Sequence, residues 1–326
     1  MKRIGRAFAI ALGVSLAATA SHAQTAKYPD RPVKVVVGFT AGGGTDVAAR
    51  VLAQKLSEAF GQSFVVENRP GASGLIATEA MAKSPADGYT LMVGSQTTLA
   101  VAPALYPKFT IDATKDVAGI SMIGISPLVA VVNANSPIKS IADLIALAKE
   151  KAGTLNFGSG GVGTTPHMAG ELLKLRIGAD MAHVPYKGSG PAMAELVAGQ
   201  VQLSFSSITA ALPFIKDGRL RALATTGSKR SPALPEQPTV SEAGYPGFEV
   251  DLWLGVFAPA GTPAQTLARI NTEIRMAVQD PAVGAAFAKV GVEPRSATAE
   301  EGARFVRAES EKWARVVTDG KLKTAK

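Results

Sequence analysis

Two glycine-rich turns carry most of the chemical potential of this sequence. The first is Gly38-Phe39-Thr40-Ala41-Gly42-Gly43-Gly44-Thr45-Asp46, and the second is Gly158-Ser159-Gly160-Gly161-Val162-Gly163-Thr164-Thr165-Pro166. Neither needs a reactive side chain. Glycines leave backbone amides uncovered, and a helix that starts at such a turn adds unpaired N–H groups and the positive end of its dipole. Corners of this kind bind anions. The expectation is that the two corners face each other across a cleft and hold a small carboxylate. A helix entry that binds nothing is the alternative at the second corner.

Other chemistry finds less support. Gly158 to Gly163 matches G-x-G-x-x-G with Asp180 downstream, but Thr164, Thr165 and Pro166 intervene before the helix and Asp180 precedes a strand. A dinucleotide site is therefore rejected. A nucleophile elbow would need G-x-S-x-G, and Gly71-Ala72-Ser73-Gly74-Leu75 lacks its last glycine. No serine combines an elbow with an obvious histidine partner, so catalysis is the minority reading. His167, one position past Pro166, reads as a hydrogen-bonded structural residue before it reads as a ligand contact, and His183, ahead of a proline-containing apolar run, is structural. With no His-x-x-x-His pair and no cysteine, no transition-metal site and no cofactor is expected. Asp46 suits helix capping or loop fixing as well as ligand contact. Ser95, Thr97 and Thr98 follow a strand end, where α/β sheets present ligand contacts. The candidate ligand-binding residues are Phe39, Thr40, Ala41, Gly42, Gly43, Thr45, Asp46, Ser95, Thr97, Gly158, Ser159, Gly160, Gly163, Thr164, Thr165, His167, Tyr186 and Ser206.

The elements that must position these residues follow from pattern. Val33 to Val37 is a β-branched run, and apolar residues at helical spacing run from about Thr45 to Phe60. Strands are expected at 63–67, 89–95, 127–133 (led into by 117–125), 201–206, 220–225 and 253–259. Helices are expected at 75–83, 141–151 with Gly153 as C-cap, from the second corner through Arg176, 192–198 with Pro191 in its first turn, from Pro263 to Val278 with Thr262 as N-cap, and 299–317. Alternating strands and helices with short turns imply an α/β fold with parallel sheets. Chain crossings are expected near Ile125 and Thr225, placing the middle third in its own domain.

Composition narrows the setting. Lys2, Arg3 and Arg6, the apolar run Phe8 to Ala20, and Ser21-His22-Ala23 read as a signal peptide (residues 1–23) cleaved before Gln24, too short to span a bilayer, which takes about 20 residues. Without those three cations the formal charge falls from +8 to +5, with charges interspersed. With 6% aromatics and no Lys-rich tract, nucleic-acid binding is disfavoured, and a mildly basic balance suits an anionic solute. An exported chain without cysteine relies on core burial and points to a bacterial periplasm. The mature length suits two domains.

Several motifs recur together: Tyr28-Pro29-x-Arg31-Pro32, Gly42-Gly43-Gly44-Thr45-Asp46 with Arg50, Val66-Glu67-Asn68-Arg69-Pro70-Gly71-Ala72 and Pro85-x-Asp87-Gly88-Tyr89-Thr90. Further on come Pro185-Tyr186-Lys187-Gly188, Pro238-Thr239-x-x-Glu242-x-Gly244 and Ala258-Pro259-x-Gly261-Thr262-Pro263. On these motifs the chain resembles the substrate-binding proteins of tripartite tricarboxylate transporters, the TctC or Bug family, over essentially its whole mature length. The resemblance implies a periplasmic binding protein-like fold of type II. Its two lobes, each with a mainly parallel sheet flanked by helices, would be hinged around a ligand cleft, with 24–125 and 226–326 in lobe 1 and 126–225 in lobe 2. It implies a ligand carboxylate held largely by main-chain amides and ordered water in two loops, matching Thr40 to Asp46 and Gly158 to Thr165, with delivery to membrane permease subunits by a monomeric receptor. A sensor that presents its solute to a histidine kinase is one alternative, and an exported hydrolase is a weaker one.

Overall fold

A computed structural model describes residues 28–106 and 111–322; the expected signal peptide lies outside the described residues. The first strand, β1 (Val33–Val37), sends Val33, Val35 and Val37 into one apolar cluster and Val36 into another on the opposite face. This is the period of two that a strand buried on both faces requires. Helix α1 (Gly44–Phe60) covers the first face with Ala48, Ala49, Leu52, Leu56 and Phe60, and ends on the left-handed Gly61. Then come β2 (Phe64–Asn68), a 3-10 turn at Ala72–Gly74, α2 (Leu75–Ala82) and β3 (Thr90–Ser95). A π-helical turn (Thr97–Val101) runs into the short α3 (Ala102–Leu105).

The central element is β4 (Val117–Asn133), one unbroken strand of 17 residues where the sequence suggests a lead-in and a separate strand. Beyond it lie α4 (Ile141–Glu150), β5 (Asn156–Ser159), α5 (Thr165–Ile177), β6 (Ala182–Pro185), α6 (Ser189–Val197), β7 (Leu203–Ser207), α7 (Ile208–Lys216) and β8 (Leu220–Thr225). The chain closes with β9 (Asp251–Pro259), α8 (Ala264–Gln279), α9 (Pro281–Ala288), the two-residue β10 (Glu293–Pro294) and α10 (Ala299–Asp319). The strand order is β2-β1-β3-β9-β4-β7-β5-β6, with β8 and β10 also on β4. β1, β2 and β3 are mutually parallel, as are β5, β6 and β7, while β4 and β9 run antiparallel to their neighbours.

β4 changes partners partway along. Val117 to Pro127 pair with β9, and Leu128 to Asn133 pair with β7 and β8. The return crossing lies beside it: the Thr226 hydroxyl donates to the Val250 carbonyl (2.6 Å) and accepts from the Leu128 amide (2.8 Å). One threonine thus ties both passages together. One apolar cluster runs under both sheets, from Met81, Met92 and Leu105 through Trp253 and Trp313 to Phe157 and Leu172.

Several local expectations need correction. Lys151, not Gly153, is the C-cap of α4; Gly153 follows at φ +77°. Pro263 is the N-cap of α8, and the Thr262 hydroxyl turns back to the Pro259 carbonyl (2.7 Å). Helix α6 starts at Ser189, ahead of Pro191. α3 and α9 carry no polar residue, so no helical stripe stands out in them.

Candidate functional site

The first corner leaves β1 at Val37 and enters α1 with Gly43 as N-cap, unaided by any side-chain cap. Thr40 to Gly44 are all exposed. Among the described residues, the amides of Thr40, Ala41, Gly43, Gly44 and Thr45 make no hydrogen bond. Of the three glycines only Gly42 needs to be one, at φ +85°.

Asp46 is not part of this open surface. It is buried, and its carboxylate accepts from the Gly42 amide (2.9 Å), Arg50 Nε (3.0 Å) and Asn68 Nδ2 (2.8 Å). Burial alone would raise this carboxyl, but the bonds from Arg50, Gly42 and Asn68 hold it below its ordinary value. Asn68 also donates to the Phe39 carbonyl (3.0 Å). Asp46 and Asn68 therefore shape the loop from beneath, the loop-fixing role that the sequence offered for Asp46 beside ligand contact. Thr45 is buried at the same helix start, and Phe39 is half-buried.

The second corner joins β5 to α5. Thr164 is the N-cap, with its hydroxyl on the Gly161 carbonyl (2.8 Å). Here side chains consume part of the amide supply: Gly161 N–H donates to Ser159 Oγ and Gly163 N–H to His167 Nδ1, both at 3.1 Å. The amides of Gly160, Val162 and Thr165 make no hydrogen bond among the described residues. Gly160 is needed for close approach, since a Cβ there would stand 3.0 Å from the Ser189 amide nitrogen. Tyr186 is half-buried, with its amide on the Ser159 carbonyl (2.9 Å).

Four more expected contacts are spent internally. Gly158 is buried between Val201 and Tyr186, and Gly163 has committed its amide and faces Leu105. Ser159 is buried with Oγ 2.7 Å from His183 Nε2. His167 is buried, with Nε2 3.6 Å from Glu171 Oε1. Each of the four packs against or bonds to a neighbour within the protein.

The Ser159–His183 pair is one that sequence spacing did not show, because 24 positions separate its members. Burial and the neighbouring His167 depress His183 to about 3, with Glu171 only partly opposing.

The two corners border a common turn. A Cβ on Gly38 would stand 2.7 Å from Gly74 Cα, and one on Gly163 would stand 3.7 Å from Ser73 Oγ and 2.8 Å from Leu105 Cδ1. Beside this turn, Thr165 Oγ donates to Gln96 Oε1 (2.8 Å), linking the start of α5 to the end of β3. Ser95 and Gln96 are fully buried, and Ser95 Oγ and Gln96 Nε2 have no partner among the described residues. Thr97 is buried in the following turn and Ser206 in β7 opposite Val129. Gln96 was missed by sequence reading, although its place between Ser95 and Thr97 at a strand end is the signal that marks it.

Two cavities lie elsewhere. One of about 360 Å³ is lined by Met122, Ile125, Arg295 and Phe305 among others, and one of about 290 Å³ lies beside Pro127 and Asp251; no corner residue lines either. Among the described residues there is no cluster of three or more His, Asp or Glu that could hold a metal ion, and no helix long and apolar enough to cross a membrane.

Two mixed sheets sharing one long strand, with glycine corners opening at the ends of parallel strands, define a two-lobed solute-binding protein of the periplasmic type. The family described as the tripartite tricarboxylate transporter family receptor (TctC) matches residues 48–322, and the chain belongs to that family. It is 41% identical to Protein BugT of Bordetella pertussis, over 96% of this chain and 97% of that protein. Among solved structures it resembles Rpa4515 of R. palustris with adipate (37% identity, 90% of this chain and 98% of that one, TM-score 0.78). It also resembles MatC from Rhodopseudomonas palustris with bound malate (33% identity, 89% and 100%, TM-score 0.75).

Proposed function

We propose that this protein captures a small organic carboxylate between its two lobes and delivers it, in the periplasm, to a tripartite tricarboxylate permease. The observation that carries the reading is the first corner: exposed residues 40–44 at the start of α1, whose amides other than that of Gly42 make no hydrogen bond among the described residues, with the Asp46 carboxylate turned inward. Amides and a helix dipole attract a carboxylate, and charge-assisted bonds are about twice as strong as neutral ones. The amides of Gly160, Val162 and Thr165 at the start of α5 would complete the ring from the other lobe. Adipate and malate in two solved relatives support the ligand class. The lobes are 24–125 with 226–326, and 126–225; the partner change of β4 at Pro127 and the return past Thr225 support that division. A ligand that touches both lobes shifts the population toward the closed form, the form a permease would recognise.

Calorimetry with adipate, malate and a panel of di- and tricarboxylates tests the reading, and absence of carboxylate binding overturns it. Gly43→Val is the matched variant. Gly43 has an ordinary φ of −74°, and a Cβ there would meet only the Thr40 carbonyl oxygen at 3.6 Å. The variant folds, screens the amides and loses binding.

A further inference from the structure

Beneath the second corner lies a buried polar chain that the binding reading does not use. Gly163 N–H donates to His167 Nδ1 (3.1 Å), and His167 Nε2 faces Glu171 Oε1 at 3.6 Å. The His167 and His183 rings lie 3.9 Å apart between centroids, and His183 Nε2 is 2.7 Å from Ser159 Oγ, which accepts from Gly161 N–H (3.1 Å). Each imidazole therefore sets one amide of the corner: His167 directly, His183 through Ser159.

The geometry assigns tautomers. An Nδ1 that accepts from an amide carries a lone pair, so the His167 proton sits on Nε2, toward Glu171. Without an acceptor at that position the buried Gly163 N–H would be left unpaired, and one side of the contact must then move. The segment free to move is the corner itself. From this we infer that His167 and His183 are positioning residues of the second corner, and that the corner keeps its binding shape only while residue 167 offers the Gly163 amide an acceptor. The inference rests on the carboxylate-binding reading above.

Three variants test this with adipate as the probe, titrated calorimetrically at pH 8. His167→Asn offers an amide oxygen near the position of Nδ1. His167→Ala removes the acceptor. His183→Gln keeps a polar group near Nε2 without the stacked ring. Expected is a loss of about tenfold to a hundredfold for His167→Ala, with most of that loss restored in His167→Asn and little loss in His183→Gln. Undiminished affinity in His167→Ala, or a His167→Asn variant as weak as His167→Ala, overturns the inference. A readout without ligand separates it from the function itself: the Gly163 amide resonance should shift in His167→Ala and stay near its wild-type position in His167→Asn. If adipate fails to bind but that resonance behaves in this way, the positioning role stands and the carboxylate reading falls; a resonance unmoved in His167→Ala overturns the positioning role.

Discussion

Asp251 offers the sharpest test of the energetics where the chain crosses between sheets. It opens β9 opposite Pro127, is 9% exposed, and its Oδ1 has no partner among the described residues. Lys229, Arg230 and Arg295 line the same cavity of about 290 Å³, yet none pairs with it within 4 Å. Burial, and then the nearby charge of Glu249, push its carboxyl up to about 7 from 3.8, with Lys312 only partly offsetting. A folded-state value above the unfolded one means that the native chain holds the extra proton. The stabilising contribution is therefore complete below about pH 4 and is lost as pH rises to about 7. Between pH 5 and pH 8 the loss is about 3 kcal/mol, roughly two pH units at ~1.36 kcal/mol each. Asp251→Asn mimics the protonated acid and cannot titrate. Urea unfolding followed by tryptophan fluorescence, with Trp253 and Trp313 fully buried as reporters, should show the variant gaining that amount on the wild type between pH 5 and pH 8. Any fixed packing cost of the amide is the same at both pH values. A gap between the two proteins that does not change with pH refutes the assignment.

Glu309 Oε2 accepts from the indole N–H groups of both Trp253 (3.0 Å) and Trp313 (2.9 Å), so Glu309→Leu strands two buried donors and should cost about 2–5 kcal/mol in urea unfolding. Loss under 1 kcal/mol, roughly one neutral hydrogen bond, would show that the indoles find other partners. Gly74→Ala meets both a φ of +89° and Thr98 Cγ2 at 2.1 Å, and should destabilise by about 2 kcal/mol or more, whereas Gly42→Ala, at φ +85° with nothing within 4 Å, should cost only about 1 kcal/mol. Equal midpoints for the two would refute the steric argument. Asp46→Ala frees the Gly42 amide, Arg50 and Asn68 together and should weaken adipate binding by about tenfold or more in a chain that still folds, checked by calorimetry and circular dichroism; unchanged affinity would show that the corner holds its shape without it.

Local pattern alone placed β1, α1, α2, β3, α5, β8 and α10 to within a residue or two, because each is bounded by a glycine, proline or capping residue close to one end. The two glycine corners were legible for the same reason: backbone that must stay bare is written in residue type. Side chains at those corners were not legible, because what a side chain faces depends on residues far away in sequence. Asp46 turns inward since Asn68, on the next strand, offers a donor, and His167 accepts from the Gly163 amide and faces Glu171, one turn along α5. Ser159 meets a histidine because β5 and β6 run parallel and in register, Phe157 opposite His183. The unbroken β4 also depended on long-range pairing, since only β9 on one half and β7 and β8 on the other could carry a single strand past Pro127. Sequence thus determined where bare, glycine-lined backbone could form, and packing decided which side chains are consumed in holding that backbone in place.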